Sequence, residues 1–235
     1  MITFNELGQY GRFGNQLFQI ASTIGHAKKH KYSYGFPEWK ERKYFKNYLP
    51  LCVNKLKTFK VPFMYKEFIT SDNVSLLGYM MSPKYFEHCQ DLIKYYFEMK
   101  TIKGLPKIKT NSIAIHVRAG DYGTIHFPRL KAEYYKNALS LLPELPVYVF
   151  SDEIETAKKI FKGYNFEYIE TNNYIYDFYL MQQCKHFIIA NSTFSWWAAY
   201  LGKHKDKIVI APDVWFGGAM KIYTNNIYCK NWTII

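Results

Sequence analysis

The chain has 235 residues, 49% of them hydrophobic, and a formal charge of +12. That is enough for one large domain or two small ones with cores of their own, and the basic balance favours anionic partners: nucleic acid, an acidic membrane surface or a phosphorylated substrate. No run approaches the roughly 18 uninterrupted apolar residues of a membrane span, and Met1 to Glu6 lacks the basic and apolar regions of a signal peptide, so a cytoplasmic protein is the expectation.

In chain order, Ile2 to Asn5 reads as a short strand, followed by a glycine-rich turn with Gly8, Gly11 and Gly14. A helix follows from about Asn15 to Lys29, because Leu17, Ile20, Ala21, Ile24 and Ala27 recur at spacings of three and four and make one apolar face. This strand, loop and helix is not spaced as G-x-G-x-x-G or as a P-loop. Residues 32 to 75, interrupted by Pro37, Pro50 and Pro62 and rich in Lys and aromatics, give no clean period; loops and short elements are expected. Ser75 to Met81 reads as a strand. Pro83 suits the first turn of a helix whose buried face would carry Tyr85, Cys89, Leu92, Ile93, Tyr96 and Phe97. Lys100 to Asn111 reads as a linker, giving an N-terminal domain over 1–105 and a C-terminal one over 106–235.

Ser112 to Val117 is an apolar run fitting a buried strand of a parallel sheet. Tyr122 to Lys131 is a loop, Ala132 to Leu142 a helix, Val147 to Phe150 a strand and Ile154 to Phe161 a helix. Phe166 to Ile169 is a strand, Ile175 to Cys184 a helix, Phe187 to Ala190 a strand, Phe194 to Leu201 a helix and Lys207 to Ile210 a strand. An irregular tail holds a last helix or strand near Trp232. Strands alternating with helices of this length imply a parallel sheet with right-handed crossovers.

Three strand ends of such a sheet share one edge: His116, Arg118 and Asp121; Ser151 and Asp152; and Asn191, Ser192 and Thr193. Ligands of α/β sheets bind beyond strand ends. Arg118 is a permanent cation with a forked set of donors suited to phosphate, and Asp121 is near enough in sequence to orient it. Taken alone, an ordinary strand end with a surface Arg–Asp pair is the commoner meaning of such a stretch. Ser192 and Thr193 open a helix, where anions bind, although plain N-capping is at least as common. Together the three ends supply a cation for a diphosphate, small hydroxyls and helix N–H groups for its other oxygens, and a carboxylate that could accept from a base N–H. The scattered Cys52, Cys89, Cys184 and Cys229 read as reduced thiols. There is no D-x-D, H-E-x-x-H, G-x-S-x-G or Cys–His set.

Four stretches in order resemble the motifs of α-1,2-fucosyltransferases, glycosyltransferase family 11. They are Gly11-Arg12-Phe13-Gly14-Asn15-Gln16-Leu17-Phe18-Gln19, His116-Val117-Arg118-Ala119-Gly120-Asp121-Tyr122, Phe150-Ser151-Asp152 and Asn191 to Leu201. The segment from Leu77 to Phe86 is also similar, so the resemblance spans nearly the whole chain. It implies an α/β, GT-B-like architecture, with a C-terminal Rossmann-type parallel sheet holding the donor and a reduced N-terminal α/β domain. It further implies GDP-fucose as donor, no metal or other cofactor, inversion at the anomeric carbon, and transfer to a galactose 2-hydroxyl of an acceptor glycan. Arg118 would hold the diphosphate with Ser192, Thr193 and Phe194 beside it, and His116 and Asp152 would lie near the guanine. Arg12 and Asn15 would sit at the domain cleft close to the sugar and acceptor. Arg118, Asn15 and Asp121 are the catalytic candidates; Asp121 is a poor base if it is committed to Arg118.

The usual second Arg of H-x-R-R-G-D is Ala119 here, and Arg129 and Lys131 are candidates to supply the missing cation. The long anchor of animal members is missing, which favours a bacterial-type cytoplasmic enzyme and leaves room for peripheral contact with an anionic membrane. Tyr10 and Trp39 are candidates to stack on acceptor sugar, with ordinary packing the commoner role. Two other readings stand beside this one: a transferase using another GDP-sugar or another hydroxyl, and a non-catalytic basic binder of nucleic acid or glycan. Nucleic acid is not the expected partner, since no RNP1-like or helix-turn-helix pattern is present.

Overall fold

The computed structural model describes residues 1–235. It divides into two compact units, Met1–Thr101 with Asn225–Tyr228, and Ile102–Thr224 with Cys229–Ile235. No helix is long and apolar enough to cross a membrane.

The first unit holds a three-stranded parallel sheet of β1 (Ile2–Thr3), β2 (Lys57–Lys60) and β3 (Val74–Leu77), with β3 in the middle. Ile2 and Lys57 both face Val74 in register. β2 escapes the sequence pattern because it is an exposed edge strand written Lys-Thr-Phe-Lys, with no buried face to impose alternation.

The long helix α1 spans Phe13–Lys29. It is not the one-faced helix that the spacing predicts: every residue from Phe13 to Ala27 except Asn15 is buried. Gln16, Gln19 and Ser22 on its second face are hydrogen-bonded inside the unit, which is what makes their burial tolerable. Gln16 Nε2 donates to the Gly11 carbonyl at 2.9 Å, and its Oε1 accepts from Trp39 Nε1 at 2.7 Å. Gln19 Nε2 donates to the Tyr10 carbonyl at 2.7 Å, and Ser22 Oγ to that of Met80 at 3.1 Å.

The single helix expected after Pro83 is instead two 3₁₀ turns, Pro83–Tyr85 and Glu87–Cys89, before α2 (Gln90–Tyr96). Ser82 Oγ accepts from the Lys84 N–H at 3.3 Å and starts the first turn. Tertiary packing breaks the helix. A Cβ on Gly25 of α1 would overlap the Tyr85 carbonyl oxygen, so only glycine lets this backbone lie so close. His88 Nε2 also reaches the Gly25 carbonyl, at 3.1 Å.

The second unit is built on a six-stranded, all-parallel sheet. Its strands are β4 (Ile113–Val117), β5 (Val147–Ser151), β6 (Glu167–Ile169), β7 (His186–Ile188), β8 (Val209–Ala211) and β9 (Thr233–Ile234), in the spatial order β6-β5-β4-β7-β8-β9. The tail near Trp232 is therefore a strand, paired with β8 through Ile210 and Thr233. The helices are α3 (Ala132–Ser140), α4 (Ile154–Ile160), α5 (Tyr174–Met181) and α6 (Thr193–Leu201). Ile113, Ile115, Val117, Val149, Ile188 and Ile210 from the strands meet Tyr135 and Phe161 in the core. Each such apolar side chain contributes about 1.5–3 kcal/mol by leaving water.

The chain runs outward through β5 and β6, then returns to place β7 on the other side of β4. The direction of winding thus reverses between β4 and β7, and the loops at their C-terminal ends diverge there to leave a crevice.

His26 of α1 is buried, its ring 4.5 Å from that of Phe68 and its Nε2 within 2.9 Å of Thr70 Oγ1. Burial, reinforced by His30 and Lys29, pushes its pKa down to about 4. An unfolded histidine titrates near 6.5, so between these values the unfolded chain binds more protons and stability rises with pH. The urea midpoint should therefore fall as pH is lowered from about 6.5 to about 4, and His26→Gln should flatten that part of the profile.

Candidate functional site

β4 is buried up to Val117 and apolar except for His116, and Arg118 is the first residue past it. The Arg118 side chain is only 13% exposed and carries two carboxylates: its Nη1 meets Asp152 Oδ2 at 2.6 Å, and its Nη2 pairs with Asp121 Oδ1. The guanidinium carbon also lies 5.3 Å from the centre of the Tyr122 ring, a cation–π arrangement.

Asp152 follows β5, the neighbouring strand. Its Oδ1 accepts from the Ala119 N–H at 2.9 Å and its Oδ2 from the Gly120 N–H at 3.0 Å. A Cβ at position 120 would stand 2.6 Å from Oδ2, so the close approach requires glycine. One carboxylate therefore holds both amides of the turn and the guanidinium. The expectation that Asp152 accepts from a base N–H meets a group whose oxygens already serve this loop.

The same turn is braced from its carbonyl side. Arg129 Nε donates to the Ala119 carbonyl at 2.8 Å and Nη2 to that of Gly120 at 3.4 Å. Of the two candidates for the missing cation, Arg129 thus folds onto the peptides where the motif lacks its Arg, while Lys131 precedes α3 at its N-cap position. Ala119 itself is buried.

His116 is buried on β4, with Nδ1 at 3.0 Å from Ser195 Oγ of α6. Its ring lies 5.4 Å from that of Phe194 at 36°. Burial lowers its pKa, Asp152 opposes this and Arg118 adds to it, leaving a value of about 4 and a neutral imidazole at physiological pH. Tyr135 OH donates to the His116 carbonyl at 3.4 Å, so the strand end is also held by α3.

Past β7, Asn191 is buried. Its Nδ2 donates to the Pro128 carbonyl at 3.0 Å and the Trp215 carbonyl at 3.2 Å, and its own carbonyl accepts from Tyr122 OH at 2.8 Å. Ser192 occupies the N-cap position of α6 with extended backbone, yet its side chain makes no capping bond. The ordinary alternative for this serine is therefore not what the fold uses it for. Thr193 begins the helix, and Phe194 packs edge-on to Phe178 at 5.4 Å.

Arg12 and Asn15 belong to the first unit. Arg12 is exposed at the N-cap position of α1. Gly11 has φ +80°, and a Cβ there would lie 2.9 Å from Asn15 Cβ and Nδ2, so glycine lets Asn15 fold back against the loop. Trp39 is buried between Phe13 and Phe45 and donates to Gln16, so the fold uses it for packing and for holding α1.

The second unit thus brings Arg118, Asp121 and Asp152 into contact, places His116 within electrostatic reach of Arg118 and Asp152, and sets the start of α6 on the adjoining strand end. Sequence reasoning gave no role to Tyr122, Tyr135 or Ser195, or to the bridging amide of Asn191. Tyr122 and Ser195 stand inside the quoted motifs, but nothing in their spacing says that they bond across 69 and 79 positions of chain. No three His, Cys, Asp or Glu side chains gather as a group of metal ligands.

The sequence model of "Glycosyl transferase family 11" matches residues 4–235. The O-antigen biosynthesis glycosyltransferase WbnK of Escherichia coli is 33% identical over 149 residues, covering 58% of this chain and 49% of the relative. An alpha-1,2-colitosyltransferase of Escherichia coli is 35% identical over 166 residues, covering 61% and 57%. The chain spans about half the length of these curated relatives. Among solved structures, the NodZ alpha-1,6-fucosyltransferase of Bradyrhizobium, soaked with GDP-fucose, superposes with a TM-score of 0.53 at 13% identity, covering 85% of this chain and 91% of that one. The fold is accordingly GT-B-like, with a Rossmann-type parallel sheet in the second unit and a reduced α/β first unit.

Asn191→Asp turns a donor that serves two carbonyls into a carboxylate facing them; it should lower stability by about 3 kcal/mol. Tyr122→Phe loses only the hydroxyl bond and should cost about 1 kcal/mol. Denaturant unfolding of both variants checks the ranking.

Proposed function

Because the chain belongs to glycosyl transferase family 11, we propose that it moves fucose from GDP-fucose to the 2-hydroxyl of a galactoside, inverting the anomeric carbon, in the synthesis of a glycan or surface polysaccharide. The observation that carries this reading is Arg118, a guanidinium held in place by its neighbours at the point where the sheet reverses its winding. Next to it, on the adjoining strand end, α6 starts without a side-chain cap, and such N–H groups suit an anion.

In this reading the donor's diphosphate lies against Arg118, with Ser192, Thr193 and Phe194 beside it. As the sugar–phosphate bond breaks, charge builds on the departing GDP and is met by donors already fixed in orientation, which is where such donors lower a barrier most. Buried neutral His116 shapes the base end through Phe194 and Ser195. Asp152 acts by holding the Arg118 turn. The acceptor hydroxyl attacks the opposite face of the sugar; Asp121 is the candidate to take its proton only once it has left Arg118, since the pair lowers its basicity. Arg12 and Asn15 keep their expected place beside sugar and acceptor; the motif alone supports this. The reaction as proposed uses no metal. The basic charge of the chain supports contact with an anionic membrane surface as part of the same picture.

A second reading changes only the donor. The likeness to an alpha-1,2-colitosyltransferase supports another GDP-sugar in place of GDP-fucose.

Calorimetry with GDP, GDP-fucose and GDP-mannose in EDTA, followed by linkage analysis on a galactose-terminated acceptor, tests both readings. GDP should bind in EDTA, and Arg118→Ala should lower turnover by about 100-fold or more while its circular dichroism stays that of the parent. Near-normal transfer by that variant removes the assignment.

A further inference from the structure

This inference rests on the donor site proposed above. There Arg118 faces two carboxylates, so its own charge is more than matched before any ligand arrives, and a diphosphate would meet repulsion from them as well as the cations of Arg118 and Arg129. The two carboxylates are not held alike. Asp152 is bound through both oxygens to the N–H groups of Ala119 and Gly120, and its side chain is 26% exposed. Moving it would strand two amides of the turn that carries Arg118. Asp121 lies three residues along the same loop, its side chain is 56% exposed, and water can solvate it as it leaves. With one partner this open to water, the pair is screened and contributes little. A diphosphate oxygen meeting the same guanidinium edge makes a charge-assisted bond at least as strong.

We propose that Asp121 is a displaceable stand-in for the donor's diphosphate. It occupies the Nη2 side of Arg118 while the site is empty and turns away from the guanidinium when the nucleotide enters, whereas Asp152 stays. The exchange keeps the guanidinium oriented at every stage. Donor entry also frees a carboxylate that the empty site keeps paired, and re-pairing of Asp121 with Arg118 competes with GDP when the product leaves. The two carboxylates on one guanidinium thus act on binding with opposite sign.

The test is GDP titration by calorimetry at fixed ionic strength. Asp121→Asn, which keeps size and removes charge, should bind GDP about 5-fold more tightly than the wild type, the change that release of a pair worth about 1 kcal/mol produces. Asp152→Asn should bind at least 10-fold more weakly. Asp121→Ser, expected to follow Asp121→Asn, serves as a second variant if the first fails to fold. Equal or weaker GDP binding by the folded Asp121 variants overturns the proposal while leaving the donor site intact. Failure of the wild type and every variant to bind GDP instead overturns the donor reading, and this proposal with it.

Discussion

The carboxylate of Asp152 is the constraint on which the second unit's candidate site depends. A turn that leaves a parallel strand carries N–H groups with no ladder partner, and such groups must find one. Here the neighbouring strand supplies it: β5 ends so that Asp152 reaches across to Ala119 and Gly120. The remaining demand on that carboxylate is met by Arg118. The position of the guanidinium is therefore a by-product of satisfying backbone amides. Arg129 seals the opposite side of the same peptides, so the turn is clamped on both its donors and its acceptors.

A second layer of bonds ties this turn to the far side of the winding reversal. Tyr122 lies under the guanidinium and hands its hydroxyl to the Asn191 carbonyl, and the Asn191 amide reaches on to Pro128 and Trp215. His116 and Ser195 make a second link between β4 and α6. Buried polar groups bonded across elements in this way rigidify their surroundings. The geometry that the proposed chemistry needs is thus carried by side chains that need never touch a ligand.

Much of this was legible in the sequence. The buried strands β4, β5 and β7 announced themselves as apolar runs followed by polar strand ends, and alternation with helices gave the parallel sheet. Arg118, Asp121 and Asp152 were legible as strand-end residues, and the pairing of Arg118 with Asp121 as a near neighbour in sequence. The contact between Arg118 and Asp152 was not, because it depends on strand register. α1 shows the other limit. Gln16, Gln19 and Ser22 look like a solvent face until their partners, contributed by loops before and long after the helix, are in place. β2 left no mark because an exposed edge needs none. The break between Pro83 and Gln90 is dictated by a glycine on another element, which no local pattern around Pro83 contains.

The order in which the sheet is wound also has a kinetic side. β4 pairs with β5 soon after both are made, but its other edge waits for β7, where Ile113 meets His186. Pairing across so long a stretch of chain is slow, since the loop must close before any contact rewards it. On a ribosome the crevice beside Arg118 is therefore among the last features to appear. Until then a mostly apolar strand presents an open edge to its surroundings, the hazard that accompanies late-closing parallel sheets.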